Sequence, residues 1–535
     1  MQRPALAAAC GAALLLAVPV AAQTGDPDWK RNGVCYEVFV RSFYDSNGDG
    51  IGDLNGLTEK LDYINDGSQA SQSDLGANCI WLMPVASSPS YHGYDVTDYY
   101  RINPDYGTND DFKRFVSEAH ERGIHVLVDM VLNHSSSEHP YFKHALLHAD
   151  SPYRDWYLWS PRPGPKNEWG GENWHRSPVR EEYYYGFFWS GMPDLNVENP
   201  EVIEETKRIA AFWLNEMGVD GFRLDAIRHL VEDGERTANV PGTHVFLRDY
   251  AAHIREIAPA AFTIGEVWDS TNVLMAYYPD QLNAYFAFEV SDSILSAVRN
   301  GSAEGLLHPV LRLQGELPPD RWSPFLRNHD QTRTVTALGG DPDRARVAAS
   351  LLLTLPGLPF VYYGEELGMT GDKPDPRLRT PMHWTRTRAG GFTEGTPWEP
   401  LQPDSFSANV EALEGDDALL LHHYRRLIHL RSARPVLGPG ELVPLVASER
   451  SVAAYLRRLE NDAVLVVVNL GSETLAGVSL NSEPGALSAG RYSLTGLLNG
   501  QSAAGLRIEA DGRIRDYVPF TELAPMQTHV LAISR

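Results

Sequence analysis

Cysteine is nearly absent: the 535 residues hold three, Cys10, Cys35 and Cys79. Cys10 lies inside an N-terminal apolar run and lacks the preceding leucine usual in a lipoprotein signal, so the rest of the chain can form at most one disulfide. For Cys35 and Cys79 the sequence allows either that bond in an oxidising compartment or two buried thiols on neighbouring strands. Basic residues are also scarce, 46 Lys and Arg against 70 Asp and Glu, for a formal charge of −24. So acidic a surface repels phosphate backbones, which excludes nucleic acid as a partner and leaves a neutral substrate unaffected. No low-complexity tract is long enough for a disordered majority, and 43% hydrophobic residues over this length suit a globular chain of more than one domain.

Long apolar runs are missing except at the start, MQRPALAAACGAALLLAVPVAAQ. Early Arg3, an apolar stretch and small residues up to Ala22 fit a cleavable secretory signal over 1–22. An uncleaved membrane anchor is the competing reading, since the run is nearly long enough to span. Cleavage implies a secreted or periplasmic protein with no remaining membrane span, and a monomer is expected.

After the signal, short apolar segments alternate with amphipathic ones. VCYEVFV (34–40), CIWLMPV (79–85), HVLVDMV (125–131), VDGFRLD (219–225), FTIGEV (262–267), SPFLRNH (323–329) and LPFVYY (358–363) read as buried strands, with a less distinct one near 283–289. Between the second and third, Phe112, Phe115, Val116 and Ala119 keep helical spacing, with Asn109 placed to cap and Gly123 to terminate. Continuous apolar strands alternating with helices predict an α/β fold, a (β/α)8 TIM barrel over 30–134 and 194–435. The aromatic, Pro- and Gly-rich stretch 135–193 breaks the rhythm as an insertion domain after strand three. Helical patterns stop near 440, and 441–535 reads as a C-terminal antiparallel β-sandwich.

Chemistry in such a barrel sits at the C-terminal strand ends, and charged residues recur there. In GFRLDAIRH, Arg223 and Asp225 are two apart, so a strand aims both to one side. Together with DMVLNH (129–134), GEVW (265–268) and FLRNHD (325–330), this stretch resembles the short sequence regions of the alpha-amylase family of glycoside hydrolases; MPDLN (192–196) is similar to a further one. The resemblance implies Asp225 as nucleophile, Glu266 as general acid/base and Asp330 as the third carboxylate. It implies Arg223 as the cation beside the nucleophile, His134 and His329 as hydrogen-bonding the sugar, Tyr94 as a stacking platform with His92 nearby, and Arg228 and His229 as contacts beyond the scissile bond.

DSNGDGIGD (45–53) places oxygen side chains at alternate positions between glycines, a pattern suited to Ca2+. It resembles the metal loop of oligo-1,6-glucosidases within the same family, which implies Asp45, Asn47, Asp49, the Ile51 carbonyl and Asp53 as ligands of a structural calcium. MPDLN is intermediate between the oligo-1,6-glucosidase and neopullulanase branches, RTPMHW (379–384) resembles exo-acting glucosidases, and Ala226 after the nucleophile favours α-1,4 cleavage. The expectation is a secreted retaining α-glucan hydrolase acting on starch or malto-oligosaccharides. The alternatives are an exo-acting α-glucosidase, a trehalose synthase-like transglycosylase and, more remotely, a non-catalytic binding subunit.

Overall fold

Eight apolar segments lie side by side as parallel strands in a computed structural model, which describes residues 29–535 apart from 69, 168 and 499. The expected signal peptide, with Cys10, falls outside the described residues. The strands are β1 (Cys35–Val38), β2 (Cys79–Leu82), β3 (His125–Met130), β4 (Gly221–Leu224), β5 (Phe262–Gly265), β6 (Ala284–Phe286), β7 (Trp322–Ser323) and β8 (Phe360–Tyr362). Their order is β7-β6-β5-β4-β3-β2-β1-β8. The sheet closes where Phe325 bridges Phe360 and the Phe360 amide donates to the Pro324 carbonyl at 2.9 Å. The seventh strand is shorter than its sequence suggests, because Pro324 has no N–H to give the ladder.

Period-two alternation divides each strand between two cores. Tyr36, Val38, Ile80, Leu82, Val126, Val128, Phe222 and Leu224 face the surrounding helices. Residues of the opposite parity, Cys35, Cys79, Trp81, Leu127, Ile264, Ala284 and Phe286, fill the barrel with Phe262, Phe325 and Phe360. Continuing the inward parity toward the C-terminal ends gives Glu37, Asp129, Arg223, Asp225 and Glu266. The inner row is thus apolar below and charged at the mouth. Cys35 and Cys79 are register partners on β1 and β2 and form a disulfide, which resolves the two readings left open by the sequence.

The helix after β2 spans Asn109–Glu121, and its N-cap is Thr108, not Asn109. Thr108 and Asp111 form a reciprocal capping box, while Asn109 uses its side chain on the Ile102 amide and the Tyr100 carbonyl. Between β3 and β4 the insertion forms a helix (Pro140–Leu147) and an antiparallel sheet of Trp159–Ser160, Tyr183–Tyr185 and Trp174–Arg176. Its neck is tied by Asn133 donating to Asp194 at 2.9 Å.

The C-terminal part is a seven-stranded sheet with a two-stranded ribbon, Leu475–Ala476 with Glu522–Leu523. Alternation along Val452–Leu459 sends Ala453 and Tyr455 to the barrel side and Val452, Ala454 and Leu456 to the sheet's own core with Leu487, Ile514 and Phe520. Arg457, fully buried, donates to the carbonyls of Thr354, Leu437, Gly438 and Gly440 and so fixes the sheet to the barrel. Among the described residues no helix is long and apolar enough to cross a membrane.

Candidate active site

The charged end of the inner row converges on one side chain. Arg223 Nη1 donates to Asp225 Oδ1 at 2.6 Å and to Asp129 Oδ1 of β3 at 2.8 Å, and Nη2 donates to Glu266 Oε2 at 2.7 Å. The guanidinium is 1% exposed, so one buried cation holds carboxylates from three adjacent strands. Past Asp225 the chain turns sharply at Ala226, left-handed at φ 45°, and the Ala226 amide donates to the same Glu266 Oε2 at 3.2 Å.

Asp330, beyond β7, is held from the opposite side. Arg379 Nη2 lies 2.7 Å and His329 Nε2 3.2 Å from its carboxylate. His329 Nδ1 is 2.6 Å from Glu37 Oε1 of β1, and its Nε2 is 2.7 Å from Tyr94 Oη. The Tyr94 hydroxyl donates to Asp129 Oδ2 at 3.1 Å, which links the two halves of the floor.

Above this network opens a cavity of about 750 Å³. Of the residues expected from the sequence, His92, Tyr94, His134, Asp225, Arg228, His229, Glu266 and Asp330 line it. Arg223 and His329 lie beneath its floor, with both His329 nitrogens engaged by protein groups. His134 differs: it is buried, and neither ring nitrogen reaches hydrogen-bond geometry with a protein atom.

A family model described as the catalytic domain of alpha amylase matches residues 37–440. The chain belongs to the alpha-amylase family. It is 41% identical over 449 residues to an alpha-amylase 3 of Dictyoglomus thermophilum, a match covering 83% of this chain and 85% of that one. It is 35% identical over 516 residues to a trehalose synthase/amylase of Mycolicibacterium smegmatis, covering 83% and 84%. A crystal structure of alpha-amylase from H.orenii superposes with a TM-score of 0.82 at 38% identity, covering 94% of this chain and all of that one. This alpha-amylase family member is therefore an enzyme, a glycoside hydrolase.

Electrostatics separate the roles open to the carboxyls of this alpha-amylase family site. Burial raises Glu266 above the usual carboxylate range; Arg223 opposes the rise, while Asp225 and Asp330 add to it. Burial also works against charge on Asp330, yet His329 and Arg379 hold it well below the usual range. Burial would lower His329, but Asp330 and Glu37 carry it up to about 10. Asp129 is pushed up to about 7 by burial against the pull of Arg223, and burial lowers His134 to about 4, so that its ring is neutral. A cavity offering one protonatable carboxyl, one carboxylate against a cation and a neutral imidazole can run acid-assisted displacement at a sugar carbon.

Several residues here had no role in the sequence reading: Glu37, Asp129, Arg379, and the aromatics Tyr91, Trp169, Phe188, Trp189 and Trp268 on the cavity wall. Glu37 and Asp129 carried a usable signal, a carboxylate at an inward position of a buried strand. Arg379 opened the RTPMHW stretch, but nothing there gave it a place in the site, because the loop after β8 that brings it in has no periodicity.

The 45–53 loop folds on itself away from this floor. Asp45 accepts from the amides of Asn47, Gly48 and Gly50 and from Thr393 Oγ1. Asn47 accepts from the Asp49 amide, Asp49 from that of Ile51, and Asp53 from Ser46 and Gly56. Left-handed Gly48 and Gly50 (φ 82° and 96°) make the turn, and every side chain named is an oxygen donor suited to a hard cation. Among the described residues no three His, Cys, Asp or Glu are gathered around one point as a metal cluster. The Trp398 amide donates to the Gly50 carbonyl, and the Trp398 ring stacks on Tyr91 at 5.3 Å, so the loop abuts a cavity wall.

Proposed function

We propose that the protein is a secreted, retaining α-1,4-glucan hydrolase. Asp225 attacks the anomeric carbon while Glu266 gives its proton to the leaving glycosidic oxygen. Water, deprotonated by Glu266, then cleaves the glycosyl–Asp225 ester and restores both groups. Asp330, kept anionic by Arg379 and His329, accepts hydroxyls of the distorted sugar. The observation that carries this reading is the shared guanidinium of Arg223, which holds Asp225 and Glu266 from adjacent strands by separate nitrogens. Such a clamp favours the short carboxyl separation of a retaining site, about 5 Å, over the wider gap that an inverting enzyme needs for water.

Ala226, Arg228 and His229, all on the cavity wall, support α-1,4 cleavage through the resemblance given above. The N-terminal pattern and the Cys35–Cys79 bond support export to an oxidising compartment. Asp45, Asn47, Asp49, the Ile51 carbonyl and Asp53 would hold a structural Ca2+, which would supply positive charge to an acidic turn and no chemistry to the reaction. Glucosyl transfer, as in a trehalose synthase, is the second reading, favoured by the 35% identity to such a relative.

The test is Glu266→Gln assayed on soluble starch, maltotriose, isomaltose, pullulan and trehalose, with NMR of early products. Loss of at least about a thousandfold in kcat, with α-anomeric products from the wild type, supports the reading. Wild-type rates in the variant, or β-anomers, would overturn it, and conversion of maltose, added to the panel for the wild type, mainly to trehalose would favour transfer.

A further inference from the structure

Arg379 holds Asp330 from a loop outside any strand, so no ladder fixes where its guanidinium points. The carbonyls around it show what does. Arg333 Nε donates to the Leu378 carbonyl at 2.9 Å, and the Tyr362 hydroxyl donates to the same oxygen at 3.2 Å. The Ser42 hydroxyl donates to the Arg379 carbonyl, and the Tyr363 hydroxyl to the Thr380 carbonyl at 2.7 Å. Three consecutive peptides are thus pinned by side chains from separate parts of the barrel. Ser42 lies past β1, Tyr362 and Tyr363 stand at the end of β8, and Arg333 follows Asp330 by three residues.

Arg333 is the centre of this arrangement. It is 2% exposed, and its guanidinium meets carbonyls and ring faces. Nη1 donates to the Tyr363 carbonyl at 2.8 Å, and the guanidinium carbon lies 4.5 Å and 4.8 Å from the ring centres of Tyr362 and Tyr363. The Arg333 amide donates to the Gly371 carbonyl at 3.0 Å, and a Cβ on Gly371 would fall 3.1 Å from Arg333 Cδ, so the loop passes close against this side chain. Burying a cation costs stability that an apolar side chain of similar volume would not. What the guanidinium supplies is direction, since its rigid fork donates along fixed lines to two carbonyls at once.

Two side chains three residues apart therefore grip two consecutive residues of the loop: Asp330 takes the Arg379 side chain, and Arg333 takes the Leu378 carbonyl. A slip of the loop along this bracket would carry the Arg379 guanidinium off Asp330, and its Nε off the His329 carbonyl that it reaches at 3.0 Å. We infer that Arg333, with Ser42, Tyr362 and Tyr363, is a positioning residue for the reaction: the four side chains aim Arg379 at Asp330 and so fix the carboxylate where it meets the sugar. None of the four lines the cavity, so they act only through Arg379. The inference rests on the proposed role of Asp330 and adds the residues that set its geometry.

The test is a double-mutant cycle. Tyr362→Phe and Tyr363→Phe each remove one hydroxyl, and Arg333→Lys keeps the charge but loses the fork. Each is made in the wild-type and in the Asp330→Asn protein and assayed on maltotriose and on α-glucosyl fluoride, which needs no acid and keeps turnover of the Asp330→Asn proteins measurable. Contacts of Asp330 strengthen in the transition state, so kcat should fall about five- to tenfold for each Tyr variant and about fiftyfold for Arg333→Lys, with KM within about twofold. In the Asp330→Asn protein the same substitutions should cost less than about twofold, since the group they aim is gone. Equal factors in both backgrounds would make the pins structural only and overturn the inference; should Arg333→Lys fail to fold, the two Tyr variants decide it. Arg457→Lys disturbs a buried guanidinium on carbonyls at the C-terminal sheet and should lower the melting temperature while changing kcat by less than about twofold. A kcat loss there equal to that of Arg333→Lys would trace both to general destabilisation and overturn the inference. Asp330→Asn at the wild-type rate would overturn the role given to Asp330, and with it the reason for the bracket.

Discussion

Arg223 Nη2 donates to Glu266 Oε2 at 2.7 Å, so the carboxyl that carries the proton in the proposed mechanism stands against a permanent cation. The Ala226 amide donates to that same oxygen at 3.2 Å. A protonated oxygen offers a poor target to two donors, so the proton of Glu266 belongs on Oε1. The clamp therefore does more than offset burial: it selects the oxygen that would serve as the acid in the proposed mechanism, and the Ala226 turn after Asp225 helps to set it.

The balance on Glu266 makes the alkaline limb of the pH profile a probe of this contact. Burial, then Asp225 and Asp330, raise its pKa while Arg223 lowers it. In the proposed mechanism activity needs the protonated form, so kcat/KM should fall as pH rises through that pKa. Arg223→Gln should shift the alkaline limb to higher pH while reducing kcat by about a hundredfold or more, because Asp225 loses its charged partner too. A limb that stays in place or moves down would show that Arg223 does not set the acid.

How far this site could be read from the sequence depended on periodicity. Arg223 and Asp225 were legible because a strand repeats every two residues, and Glu266 because it ends the fifth strand within GEVW. Glu37 and Asp129 obey the two-residue repeat equally, but their partners lie on other strands: Asp129 is in register with Arg223 on β4, and Glu37 meets His329 from beyond β7, where the barrel closes. Register also decided Cys35 and Cys79, whose pairing no local pattern states. Arg379 and the Trp169 and Trp189 loops follow no period, and only folding brings them to the cavity.

The chain Glu37, His329 and Asp330 predicts how stability changes with pH. His329 is carried up to about 10, above its ordinary value of about 6.5. Its contribution is therefore fully present below about pH 6.5 and lost as pH rises toward 10. Asp330, depressed by the same ion pair, contributes above the ordinary carboxylate range and loses that contribution as pH falls through and below it. The two shifts describe one interaction and count once. The melting temperature should decline between pH 6.5 and 10, and His329→Gln, though less stable, should show a shallower decline. Parallel slopes in calorimetry would exclude His329 as the source.

If the 45–53 loop holds Ca2+, chelation removes a ligand bound only by the folded state. The expected loss is about 1–3 kcal/mol at metal concentrations well above Kd, read as a drop of a few degrees in melting temperature. Asp49 is exposed and its carboxylate accepts from the Ile51 amide, so Asp49→Ala should fold and lose the sensitivity to chelator. The same chelator effect on both proteins would place the metal elsewhere.

Ala226 combines a strained backbone with a place on the cavity wall beside Asp225. A β-branched residue resists left-handed geometry, so Ala226→Val should cost about 1–3 kcal/mol of stability. The added methyls would also crowd the leaving side and tilt the Ala226 amide away from Glu266 Oε2. Activity on maltotriose should therefore fall by about tenfold or more, with the ratio of isomaltose to maltotriose cleavage rising. Ala226→Gly relieves φ and adds no bulk, so it should keep the wild-type ratio. Kinetics on the two sugars with thermal melts of all three proteins separate the effects: a Val variant that is less stable but unchanged in linkage preference would assign Ala226 to the backbone alone.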